Sequence, residues 1–119
     1  MIENKYFKES ELACRCCGEL EESETMITKL IKAREIAGVP FNINSGYRCE
    51  YHNKNVGGVS NSSHVGGYAV DIRVDSNSKR YIILNALIEA GFNRIGIYSS
   101  FIHADVDPTK PSNTIWYGK

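Results

Sequence analysis

The chain has 119 residues, of which 42% are hydrophobic and 24% charged, with a net charge of zero at neutral pH. That is one domain's length and an ordinary globular balance, enough to bury a modest core. There is no excess of Lys and Arg to suit a nucleic-acid partner, and no run near the roughly 20 apolar residues of a membrane span.

The opening stretch, MIENKYFKES, is polar and lacks the apolar centre of a secretory signal. The expectation is a chain made in the cytoplasm, without membrane insertion, forming one monomeric domain over residues 1–119. YFKESELACRCCGEL reads as an extended lead-in and a short helical turn started by Ser10, with Glu11 in its first turn and a stop at Gly18. SETMITKLIKAREIAG is the clearest helix. Ser23 caps it, Glu24 suits its positive end, Gly38 ends it, and Ile27, Leu30, Ile31 and Ala37 form its apolar stripe.

FNINSGY follows as a short strand. Residues 50–67 are rich in Asn, Ser and Gly and read as one long loop of the functional kind. YAVDIRV alternates, with Tyr68, Val70, Ile72 and Val74 on one face and Ala69, Asp71 and Arg73 on the other. NSKRYIILNALIEAG is a second helix, capped near Ser76 to Ser78 and ended by Gly91. RIGIYS and FIHADVD are two strands that can form a hairpin around Ser99 and Ser100. The tail, PTKPSNTIWYGK, reads as irregular. The predicted class is α+β, with helices packed on one face of a small, mainly antiparallel sheet.

The cysteines are Cys14, Cys16, Cys17 and Cys49. A structural zinc site usually takes two separated pairs, whereas here one cluster faces a distant single residue. A second metal site through Cys14, Cys17 and Cys49 stays open, beside reduced and partly buried thiols or a pair formed by Cys14 and Cys17.

The histidines are His52, His64 and His103. Alternation in FIHADVD puts Phe101, His103 and Asp105 on one face and Ile102, Ala104 and Val106 on the core side. Asp71 likewise projects away from Val70 and Ile72. Two strands of one sheet thus offer Asp71, His103 and Asp105 on a non-core face, and His64 sits in the loop just before, able to fold back over it. Two histidines and a carboxylate make a zinc set with one position open, and a neighbouring carboxylate can serve as general base.

The segment Ser62-x-His64-x2-Gly67-x-Ala69-x-Asp71 resembles the S-x-H-x2-G-x-A-x-D signature of the zinc D-Ala-D-Ala carboxypeptidases and peptidoglycan endopeptidases, which share the Hedgehog-type fold. INSGYRCEYHNKNVGG is similar to that family's S-G-Y-R stretch, FIHADVD to its closing H-x-D strand, and YFKESELACRCCG to the lead-in of phage-encoded members. The resemblance implies His64, Asp71 and His103 as ligands of one catalytic zinc. It implies Arg48 for the substrate carboxylate or the developing oxyanion, and Ser62 as a substrate-binding residue that holds the loop or hydrogen-bonds near His64. Gly66 and Gly67 would let the backbone turn tightly there. His52 is not at a ligand position and reads as a loop residue. Trp116 and Tyr117 either wall a cleft or simply pack.

Several branches of that family carry the catalytic acid or base three residues before the last histidine. Ser100 stands there in this chain, so Asp105 becomes the expected base, or else a residue that orients His103 from behind. The implied activity is zinc-dependent hydrolysis of peptide bonds in peptidoglycan stem peptides, by a phage or prophage product released to the wall or carried in a virion. The rival is a wall-peptide-binding or virion structural module that keeps the zinc.

Overall fold

The structure, a computed structural model, describes residues 4–118, so Met1 to Glu3 of the polar opening stretch and Lys119 of the tail lie outside it. The chain runs α1 (Glu9–Leu12), α2 (Glu24–Ala37), β1 (Ile43–Ser45), α3 (Glu50–Asn55), β2 (Ala69–Arg73), α4 (Asn77–Ala90), β3 (Arg94–Ile97), β4 (Phe101–Asp105) and β5 (Thr114–Tyr117).

The long helices begin and end where their cap residues dictate. Ser23 Oγ accepts from the Met26 amide and Ser76 Oγ from the Lys79 amide, which satisfies donors left over at each first turn. Gly38 and Gly91 close them with φ of +68° and +103°, a conformation glycine adopts without penalty. Ser10 does not cap α1. Lys8 holds that position, and its amide donates to Glu11 Oε1 at 3.1 Å.

The five strands lie in the order β1-β2-β4-β3-β5. All neighbours are antiparallel except β3 and β5, which are parallel. The β3–β4 hairpin turns at Ser99 and Ser100 as expected, with the Tyr98 amide donating to Phe101 O. Ile27, Leu30 and Ala33 of α2 and Ile83, Leu87 and Ala90 of α4 bury one face of the sheet, represented by Val70, Ile72, Ile95, Ile102 and Ala104. Removing an anchor such as Leu30, which is fully buried, to alanine costs about 3 kcal/mol by lost contacts and cavity. Among the described residues, no helix is long and apolar enough to cross a membrane.

Two further expectations are corrected. The loop over 50–67 opens with a helix, α3, because the Cys49 side chain accepts from the His52 amide and so caps it. His52 is therefore a helical residue. The tail is not irregular throughout. Residues 114–117 pair with β3 in the register Arg94↔Thr114 to Ile97↔Tyr117. Ile115 and Tyr117 face solvent, so β5 carries no apolar core face for alternation to reveal, and its pairing covers what would otherwise be an open edge at β3.

Candidate metal centre

The register of β2 against β4 sets Asp71 directly opposite His103. Directly paired residues on one sheet face stand close enough for their side chains to meet. His103 Nδ1 lies 2.9 Å from Asp71 Oδ1. His64 arrives from the loop that precedes β2. Ser62 Oγ accepts from the His64 amide, and the His64 carbonyl accepts from the Arg48 and Gly67 amides. These bonds fold residues 62–67 back over β2, and His64 Nε2 comes to 3.2 Å from Asp71 Oδ1. Gly67, with φ of +75°, makes the turn possible. A Cβ there would stand 2.4 Å from the Glu21 carbonyl oxygen.

This covering loop changes one expectation. Alternation predicts an open face beyond Asp71, but β2 is buried on both sides until Arg73. Asp71 is only 7% exposed and His64 only 3%.

His64 Nδ1 lies 2.7 Å from the Gly46 carbonyl. A carbonyl can only accept, so Nδ1 carries the proton and Nε2 keeps its lone pair for the site when the ring is neutral. His103 is faced by carboxylates on both ring nitrogens, Asp71 at Nδ1 and Asp105 at Nε2, the latter at 2.7 Å. Burial lowers its pKa, but the bonds from Asp105 and Asp71 outweigh that and raise it. For Asp71, burial pushes upward, and the bonds from His103 and His64 pull the carboxyl below the usual carboxylate range.

The ligand atoms of His64, Asp71 and His103 all lie within 4.8 Å of one another. Ligands about 2.1 Å from one tetrahedral zinc stand about 3.4 Å apart, near the observed spacings of 2.9 and 3.2 Å. Two imidazoles and one buried carboxylate, with one histidine already fixed in the right tautomer, fit a zinc ion by number, type and spacing.

Arg48 borders the group. Its Nε donates to Ser45 Oγ at 3.0 Å, Nη1 to Asn53 Oδ1 at 3.3 Å and Nη2 to Asp71 Oδ2 at 3.4 Å. Asp105 stands behind His103, 1% exposed. Its Oδ2 is on His103 Nε2, and its Oδ1 accepts from Arg94 Nε at 2.9 Å and from the Asp107 amide at 3.1 Å. Burial raises its pKa, but the His103, Asp107 and Arg94 contacts win and lower it. The carboxylate expected as a free base thus has both oxygens engaged. His52 takes no part in this group.

The sequence reading missed Arg94, which ties Asp105 to the tail. It also donates to Pro111 O and Thr114 Oγ1 and stacks over Trp116. Its signal lay only in the pairing of β3, which sets Arg94 opposite Asp105 on one side and Thr114 on the other. Trp116 lies beside His103, with ring centroids 5.5 Å apart, and donates to Tyr98 OH. Gly96 makes room for this indole, which stands where its Cβ would be. Tyr117 points to solvent.

Together these side chains line a cleft of about 450 Å³ whose walls include Arg48, Ser62, Tyr98, Lys110 and Trp116. A cavity of that size with a few convergent polar groups suits a small peptide segment. No curated protein matches the chain. The family model described as Peptidase M15 matches residues 5–105, a span that includes His64, Asp71, His103 and Asp105. Members of that family are zinc-dependent peptidases, and the mostly antiparallel sheet with helices on one face is compatible with their fold. With that match over most of its length, the chain belongs to the peptidase M15 family.

Proposed function

We propose that this chain hydrolyses peptide bonds in the stem peptides of bacterial peptidoglycan, as a D,D-carboxypeptidase or an endolysin-type endopeptidase. The observation that carries the reading is the convergence of His64, Asp71 and His103 in a cleft walled by cations. Zinc held by these three side chains would supply an activated water and polarise the scissile carbonyl.

The chain's own residues do the rest. His64 and His103 are held in orientation by the Gly46 carbonyl and by Asp105. Arg48 and Lys110 border the cleft and suit the carboxylates of a stem peptide, and the Arg48 guanidinium can also steady a carbonyl oxygen as it becomes negative. Ser62 holds the loop that carries His64. Trp116 offers an apolar wall. The bonds of Asp105 favour a role in orienting His103 over that of a free base. In this reading the protein acts on the cell wall, brought there as a phage or prophage product.

That engagement of Asp105 also supports a second reading, a weakly active or inactive wall-peptide-binding module that keeps the metal. Digestion of purified peptidoglycan with mass analysis of the fragments separates the two. The proposal expects peptide-bond cleavage by the zinc-loaded protein and none by His64→Ala. Retention on the wall without any released fragment would support the binding module instead.

A further inference from the structure

The four cysteines are not used by the His64 group, yet the fold gathers them. Cys14, Cys16 and Cys17 lie between α1 and α2, and Cys49 lies just before α3. Their sulfur atoms all fall within 4.8 Å of one another. Cys14 Sγ is 3.6 Å from Cys16 Sγ and 3.7 Å from Cys49 Sγ, and Cys16 Sγ is 3.4 Å from Cys49 Sγ.

These spacings decide between two arrangements. A disulfide needs sulfurs about 2.05 Å apart, and all four cysteines are free. Four thiolates about 2.3 Å from one zinc ion stand about 3.8 Å apart at the corners of a tetrahedron. The separations among Cys14, Cys16 and Cys49 are close to the second, and Cys17 completes the set within 4.8 Å of the others.

The surrounding backbone matches it too. Cys14 and Cys17 have the C-x2-C spacing of a zinc-binding turn, closed by Gly18 at φ of +74°, whose amide donates to the Cys14 carbonyl at 2.9 Å. Two more amides point at sulfur, Cys49 N–H at Cys14 Sγ (3.5 Å) and His52 N–H at Cys49 Sγ (3.4 Å). Donors aimed at sulfur stabilise it as thiolate, the form that binds a metal.

We propose that Cys14, Cys16, Cys17 and Cys49 hold a second metal ion, a structural zinc distinct from the one proposed at His64, Asp71 and His103. All-sulfur tetrahedral coordination with no open position is the pattern of structural rather than catalytic zinc. Its place explains its use. Tyr47 N–H donates to Leu12 O, and a Cβ on Gly46 would meet that same carbonyl, so the lead-in segment already packs tightly on residues 46–49. A metal joining residues 14–17 to Cys49 would lock the backbone on both sides of Arg48 and of the Gly46 carbonyl that orients His64. It would do so in a chain whose core is modest.

The test uses the full chain, purified reduced and loaded with cobalt(II) or zinc. Cobalt bound by thiolates gives an intense near-ultraviolet charge-transfer band, which a histidine and carboxylate site lacks. Wild type should bind about two ions per chain and show the band. His64→Ala with His103→Ala should bind about one and keep the band in full. Cys49→Ser and Cys16→Ser should each weaken or abolish it. The double histidine variant retains every cysteine, so the proposal is tested even if a cysteine variant fails to fold. Absence of the band in the double histidine variant, immediate reaction of all four thiols in zinc-loaded protein, or an intact mass showing a disulfide in the reduced preparation would overturn it.

Discussion

His103 Nε2 is bonded to Asp105 Oδ2 across 2.7 Å, and that carboxylate, buried where it borders the cleft, has its other oxygen held by Arg94 and the Asp107 amide. A carboxylate in this position fixes the ring's orientation and raises its basicity. Asp105→Asn should therefore weaken zinc affinity at the His64 group by about 10- to 100-fold. Competition against a calibrated chelator measures it. Were Asp105 a base alone, the variant would keep its zinc affinity and lose kcat.

Arg94 is the cation that makes burial of Asp105 tolerable, and it also holds Pro111 O and Thr114 Oγ1 of the tail. Arg94→Ala strands a buried carboxylate and should cost about 3 kcal/mol in denaturant unfolding. Arg94→Lys should recover only part of this, because a point charge cannot replace a fork that serves three acceptors. Equal stability of Arg94→Ala and wild type would remove Arg94 from the support of the site.

Gly67 and Gly57 share a φ of +75°, but only Gly67 is enclosed. Gly57→Ala should cost about 1 kcal/mol, the conformational penalty alone. Gly67→Ala should cost clearly more than about 2 kcal/mol, since its Cβ meets the backbone of Glu21 and Glu22. Thermal unfolding of the two variants side by side isolates the difference. Similar losses in both would mean that the loop carrying His64 does not press on the segment before α2.

Asp107 accepts from the Thr109 amide and hydroxyl and from Ser63 Oγ. Burial raises its pKa, but these bonds and Lys110 outweigh it, so the carboxyl sits below its ordinary value. A depressed carboxylate contributes stability that is present above its unfolded pKa of about 3.9 and is lost as pH falls through the folded value. Asp107→Asn should thus be about 1 to 2 kcal/mol less stable at pH 7, with the gap narrowing below about pH 4. A gap that stays constant from pH 7 to pH 3 would contradict this.

What the sequence could and could not reveal follows from where each signal lives. Ser23, Gly38 and the apolar positions between them define α2 locally, and the alternation of Phe101 to Asp105 shows which way His103 and Asp105 project. The motif from Ser62 to Asp71 brings His64 and Asp71 to the same place because the turn at Gly67 is local too. The helix α3 was hidden because its cap is a cysteine among Asn- and Gly-rich neighbours. The strand β5 was hidden because its stabilising contacts are to β3. The engagement of Asp105 by Arg94 depends on register between β3 and β4, which no single segment encodes. The gathering of Cys49 with Cys14, Cys16 and Cys17 depends on the packing of residues 46–49 against Leu12.

The proposed activity depends first on the group formed by His64, Asp71 and His103. An anomalous difference map at the zinc edge, from crystals grown with zinc, tests it most directly. The prediction is a peak bounded by His64 Nε2, Asp71 Oδ1 and His103 Nδ1, with Asp105 still on His103 Nε2. No peak at that position, or a His103 turned to present Nε2 with Asp105 released, would contradict it.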